Sequence, residues 1–272
     1  MANITSATSG NSNVGATWTG GSVPTSADNA IIQDTHTVTQ NAAHTFKSLR
    51  VETGGTWTAD GSNHLTLSGE NDSDFALQIV DGTYNHANGT VVINNGGGGI
   101  AHAAIQAGVG NSTTGLYDLT ISGGGTTCEI YGDTTIHRNM EAGGSTTVLR
   151  GSLTVTGNLT INATLNTRFS STDKNLTVAG TTQVTGTLTC NSSAISLGTG
   201  LTSGWGLDIQ SGGTFTGGTG THTIGSIFAA SAGTRTITLS SGDTTIDSKN
   251  TGNGYTINLA SGTTFNHGSG TV

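Results

Sequence analysis

Charge is what this chain has least of. Only 9% of its 272 residues are Asp, Glu, Lys or Arg, against about 25% in an ordinary globular domain. The net charge is −8, and no basic cluster interrupts it. The electrostatic footprint of a nucleic-acid binder is absent, so no nucleic acid is expected as a partner. No apolar run approaches the ~20 residues of a membrane helix, so no membrane is expected either. Two cysteines, Cys128 and Cys190, do not make a disulfide framework. Each shares parity with an apolar neighbour, as buried thiols acting as small hydrophobes do. The opening residues, Met1-Ala2-Asn3-Ile4-Thr5-Ser6, lack a charged segment and an apolar core. A secretory signal is therefore not expected, and the chain reads as one that stays in the cell or leaves by lysis.

Proline is nearly missing too, with Pro24 alone. Disordered polar chains usually carry proline and strong net charge. Here both are scarce, and aliphatic residues alternate with polar ones, so disorder is set aside. Helix formers are also thin. Thr, Gly, Ser and Asn dominate, and no window holds a 3.6-residue period.

What remains is a phrase that returns along the chain. An apolar-polar-apolar triplet is followed by Gly or small polar residues. It reads Leu65-Thr66-Leu67, Leu119-Thr120-Ile121, Leu153-Thr154-Val155, Leu159-Thr160-Ile161, Leu176-Thr177-Val178, Ile237-Thr238-Leu239 and Ile257-Asn258-Leu259. Each is a strand with two inward side chains and one outward polar one, too short to bury a core alone. Stacked on copies of itself it makes a solenoid. The expected fold is all-β, a right-handed parallel β-helix of about eleven short coils, some 50–55 Å of rod at ~4.8 Å per coil. Leu153 and Leu176 open similar phrases 23 residues apart, which suits three short strands and their turns. A β-sandwich or jelly roll is the alternative, and predicts strands of 6–8 residues joined by hairpin turns. On the outer face Thr and Asn would ladder from coil to coil. Residues 1–60 read as an N-terminal cap and first coils. Residues 61–272 read as the solenoid body. A Gly-rich excursion at about 94–115 holds Gly96 to Gly99, with a helical turn a candidate for Ile100–Ile105.

The N-terminal stretch has its own character. Trp18-Thr19-Gly20-Gly21-Ser22-Val23-Pro24 is followed by Asp28-Asn29-Ala30-Ile31-Ile32. A bulky Trp beside a Gly pair and a proline turn suits a cap over a solenoid end, which is otherwise a bare sheet edge. This order of Trp, Gly-Gly, Val-Pro and an Asp-x-x-Ile strand resembles the opening of secreted and viral parallel β-helix proteins. It is also similar to the eight-glycine domain of extracellular proteins. The resemblance covers roughly the first sixty residues. Without a signal peptide, the chain resembles most the phage virion proteins of that architecture, decorations and fibres assembled in the host cytoplasm and released by lysis. That likeness implies a homo-oligomer, most often a trimer, attached to capsid or tail proteins.

Candidate chemistry is sparse. Glycoside cleavage needs paired carboxylates about 5–10 Å apart, and the 16 acids are spread out. Glu70, Asp72 and Asp74, with Asp81 nearby, form the one cluster, and in a loop they would offer oxygen ligands to Ca²⁺; a solvated polar loop is the plainer reading. Gly217-Gly218-Thr219-Gly220-Thr221-His222 is similar to a calcium nonapeptide but has His where the Asp ligand belongs. The eight histidines form no zinc spacing. Trp205, between Gly204 and Gly206, is the candidate for a glycan-binding platform, against an inward-packed coil corner. No catalytic residue and no cofactor beyond Ca²⁺ is indicated. The functional expectation is a non-enzymatic structural protein of a phage virion. The alternative is an extracellular adhesin or polysaccharide-binding or -degrading protein of the cell surface.

Overall fold

The computed structural model describes residues 2–69, 75–94, 102–106, 115–124, 127–144, 146–229, 232–247 and 254–272. The chain divides into two compact units, residues 1–137 and 138–272. Each is a stack of short parallel strands on three faces, a parallel β-solenoid. No α-helix occurs among the described residues.

In the first unit the chain visits the faces in turn. The first face stacks Asn3–Thr5, Asn29–Ile32, Ser48–Val51 and Phe75–Ile79 in parallel. His102–Gln106 and Thr127–Tyr131 continue it. The second face stacks Gly10–Asn11, Thr37–Thr39, Thr56–Thr58 and Thr83–Asn85. The third stacks His44–Phe46, Leu65–Leu67, Thr90–Ile93 and Asp118–Ile121. Most of the expected excursion at 94–115 lies outside the described residues. His102–Gln106, within it, is a strand rather than a helical turn, in continuous register with Thr127–Tyr131 and with a register shift between Ala104 and Ile105 against Phe75–Ile79.

The second unit repeats the plan. Its second face carries Leu153–Val155, Leu176–Val178, Ile195–Leu197, His222–Ile224 and Thr244–Ile246. Leu153 pairs with Leu176 as the 23-residue spacing predicts. Its third face runs from Met140–Ala142 through Leu159–Ile161, Thr182–Val184, Leu207–Ile209 and Ile227–Ala229 to Ile257–Leu259. A sandwich would need antiparallel hairpins between its strands. Among the described residues of this unit the pairing is parallel apart from one small device, Arg168–Phe169 against Thr172–Asp173. That hairpin is clipped by Arg168, whose Nε and Nη2 donate to the two Asp173 oxygens at 2.9 Å each.

The alternation in the triplets explains the packing. In Leu165, Leu188, Phe215 and Ile237 one inward side chain sits on the next, all fully buried. Beside them Thr164, Thr187, Thr214, Thr236 and Thr264 form an outward threonine column. β-branched side chains suit extended backbone, and stacked neighbours cover one another. Asparagines tie the corners. The Asn139 Oδ1 accepts from the Asn158 N–H at 3.0 Å, and the Asn158 Oδ1 accepts from the Thr181 N–H at 2.9 Å. Asn175 does the same for the Ala194 N–H at 3.2 Å. The final triplet departs from the pattern. Ile257 is half-buried and Leu259 is 37% exposed, because no coil among the described residues stacks beyond them.

At the start, Ser6 makes an antiparallel bridge to Trp18. The Trp18 indole N–H donates to the Ser12 carbonyl at 2.8 Å, and its ring meets Phe46 edge-on at 6.2 Å. Phe46 in turn meets Trp57 at 6.1 Å. Three large rings therefore fill the first coils of this unit.

Candidate functional site

Glu70, Asp72 and Asp74, the proposed Ca²⁺ ligands, lie outside the described residues. Asp81, their neighbour, is exposed with φ +51. Among the described residues no three His, Cys, Asp or Glu side chains group closely enough to hold a metal ion.

Trp205 is half-buried, and its ring stacks on Phe228 with centroids 4.7 Å apart and planes 28° apart. Gly206 follows it at a corner so tight that a Cβ there would stand 2.5 Å from the Leu197 carbonyl oxygen. The Gly206 carbonyl accepts from the Thr182 N–H at 3.0 Å, and its N–H donates to the Ser226 Oγ at 3.4 Å. The corner backbone is thus clamped between neighbouring coils.

Phe228 is the outward member of Ile227–Ala229 and pairs with Asp208 on the preceding coil. The outward column on this face reads Glu141, Thr160, Gln183, Asp208, Phe228, Asn258. Phe228 is its one apolar member. Asp208 is held by two amides. The Gln210 Nε2 donates to Oδ1 at 2.7 Å and the Gln183 Nε2 to Oδ2 at 3.4 Å. Burial pushes the Asp208 carboxyl above the ordinary carboxylate range, and the two amide hydrogen bonds and the Arg235 charge oppose that shift. An aromatic ledge beside an oriented carboxylate and two amides is the richest chemistry on this face.

Three further groupings emerged that spacing did not reveal. The His86 ring stacks on Tyr117 at 5.4 Å and lies 5.2 Å from His137. Burial and the neighbouring His137 lower the His86 pKa. The Ser6 Oγ is 2.8 Å from the His36 Nδ1, and the Ser12 Oγ is 2.6 Å from the His44 Nε2. Both serines are buried, at 3% and 0% exposure, so no substrate carbonyl reaches either hydroxyl. Their function is to satisfy interior polar groups of the first coils. His222, which stands where a calcium nonapeptide would carry its Asp ligand, lies wholly in the core.

No protein-family model, curated protein or solved structure matches this chain.

Proposed function

We propose that this chain is a non-enzymatic structural protein of a phage virion, a capsid decoration, head fibre or tail appendage. The observation that carries the reading is how the two units use their side chains. Inward columns are aliphatic and aromatic, as in Leu165, Leu188, Phe215 and Ile237. Outward columns are mostly threonine, serine and asparagine, and they serve the stacking itself. Such coils spend nearly every residue on persistence, and the chain's low charge avoids repulsion between stacked neighbours. The likeness of the first sixty residues to viral β-helix proteins adds to this. The reading implies assembly in the host cytoplasm, a homo-oligomer, most simply a trimer, and attachment to a capsid or tail protein.

Light scattering of the purified chain, with co-sedimentation against capsids and tails of its phage, tests the reading. A trimer that co-sediments with particles is the expected result. A strict monomer that binds neither itself nor any particle would overturn it. An extracellular adhesin is the second reading, and the partly buried Trp205–Phe228 stack is the observation that favours it.

A further inference from the structure

We propose that Trp205, Phe228 and Asp208 form a binding site for a neutral pyranose-containing glycan on the third face of the second unit.

The aromatic pair lies on a face built otherwise of polar outward side chains. Leaving a large ring partly in water forfeits part of its burial free energy. Trp205 and Phe228 both stay only partly buried although the coil interior is filled by Leu207, Ile209, Ile227 and Ala229 beneath them. The register extends the feature. Leu207, Ile227 and Ile257 stack on one another, so the residues two places before them share one corner on successive coils. Those residues are Trp205, Gly225 and Tyr255, and Tyr255 is 56% exposed. Gly225 puts no side chain in the step between the two aromatic residues, whose backbones are two coils, roughly 10 Å, apart. The corner therefore offers flat apolar rings with a step between them.

The polar half of the site is equally specific. A pyranose has an apolar C–H face and a rim of hydroxyls. Aromatic rings meet the first, and a few placed acceptors and donors meet the second. Asp208 neighbours Phe228 directly across the ladder. Each of its oxygens takes one amide hydrogen bond and keeps further acceptor capacity. The carboxylate selects against acidic sugars, as does a chain of net charge −8. A shallow site with one stacked ring predicts a Kd of about 1 mM per sugar, raised to useful strength by several copies in an oligomer. The proposal does not depend on where the protein works, and holds for a virion part or an adhesin alike.

The test uses the intact chain and six probes: maltohexaose, cellohexaose, mannohexaose, N-acetylchitohexaose, and hexamers of galacturonate and of mannuronate. Binding is read by saturation-transfer NMR and by tryptophan emission. Trp18 and Trp57 are 1% and 0% exposed, so an emission change reports Trp205. At least one neutral hexamer is expected to bind at about 1 mM, with the uronates at least about tenfold weaker. Trp205→Ala and Asp208→Asn are each expected to weaken binding about tenfold or more at a temperature where circular dichroism shows both variants folded, so that a folding defect is separated from a lost contact. Absence of binding by all four neutral hexamers up to about 10 mM would overturn the proposal. So would wild-type affinity in both variants, or uronates binding as tightly as neutral sugars.

Discussion

His222 lies edge-on to Phe215, with ring centroids 6.0 Å apart, in a column that otherwise reads Leu153, Leu176, Ile195 and Thr244. The ring is fully buried and neither nitrogen has a hydrogen-bond partner. Burial lowers its pKa from 6.5 to about 4. In the unfolded chain it titrates near the ordinary value. Between those two pH values the unfolded state binds more protons, so stability rises with pH across that window. The contribution is complete above about pH 6.5, falls as the pH drops toward 4, and changes no further below.

The expected loss between pH 7 and pH 4 from this one group is about 3 kcal/mol. His222→Leu continues the aliphatic column and removes the titration. Urea midpoints taken at intervals from pH 4 to pH 8 are expected to show a flatter profile in the variant and higher stability at acid pH. An unchanged slope would show that the imidazole finds water or a partner. His44, whose pKa burial also lowers, acts in the same direction in both proteins and cancels in the comparison.

Glycine serves the stack in a way that separates conformation from space. Gly218 has φ +73, and a Cβ there would sit 1.8 Å from the Asn191 carbonyl oxygen. Gly200 has φ +77 with nothing within 4 Å of the same point. Gly200→Ala is expected to cost about 1–2 kcal/mol, the ordinary penalty of a left-handed backbone with a side chain. Gly218→Ala must also push two coils apart, and is expected to cost at least about 2 kcal/mol more. Equal denaturation midpoints for the two variants would contradict coil stacking at that distance.

The triplets made the strands, the inward and outward sides, and the buried cysteines legible, because a period of two with a polar centre fits few other architectures. Register was less open to reading. Leu176 follows Leu153 by 23 residues, but the next steps on that face go to Ile195 and then His222, 19 and 27 residues on. Steps of unequal length hide which side chains meet across coils. Trp205 drew attention through its flanking glycines, yet Phe228 did not. Ile227–Ala229 is wholly apolar in sequence, and only the pairing of Leu207 with Ile227 turns Phe228 outward onto the indole. The histidine pairs with Ser6 and Ser12 escaped for the same reason, since each joins coils about thirty residues apart in sequence.

The two thiols report the two units separately. Cys128 belongs to the first and Cys190 to the second, and both are fully buried. Burial and the nearby Glu129 charge push the Cys128 thiol up to about 12, and burial raises Cys190 as well. Thiolate is the reactive form, so both should resist a disulfide reagent in the native protein at pH 8. Labelling at least about 100-fold slower than in urea is expected at each. Mass spectrometry of the partly labelled chain tells them apart. Rapid native labelling of either thiol would mean that its coil opens freely.

Leu188 offers the sharpest comparison between interior and surface. It is fully buried between Leu165 and Phe215, while its neighbour Thr187 is half-buried on the outward threonine column. Leu188→Ala removes a filled position in a stack whose coils are fixed above and below by backbone pairing, so collapse around the cavity is restricted. The expected cost is about 2–5 kcal/mol. Thr187→Ala leaves the interior intact and is expected to cost under about 1 kcal/mol. Because a solenoid's stability is a sum of neighbouring terms, the Leu188 cavity should be felt first in its own coil. Cys190 lies two residues on, so Leu188→Ala is expected to speed its labelling while Thr187→Ala does not. If both variants shift the urea midpoint equally, the inward aliphatic column is not what holds these coils together.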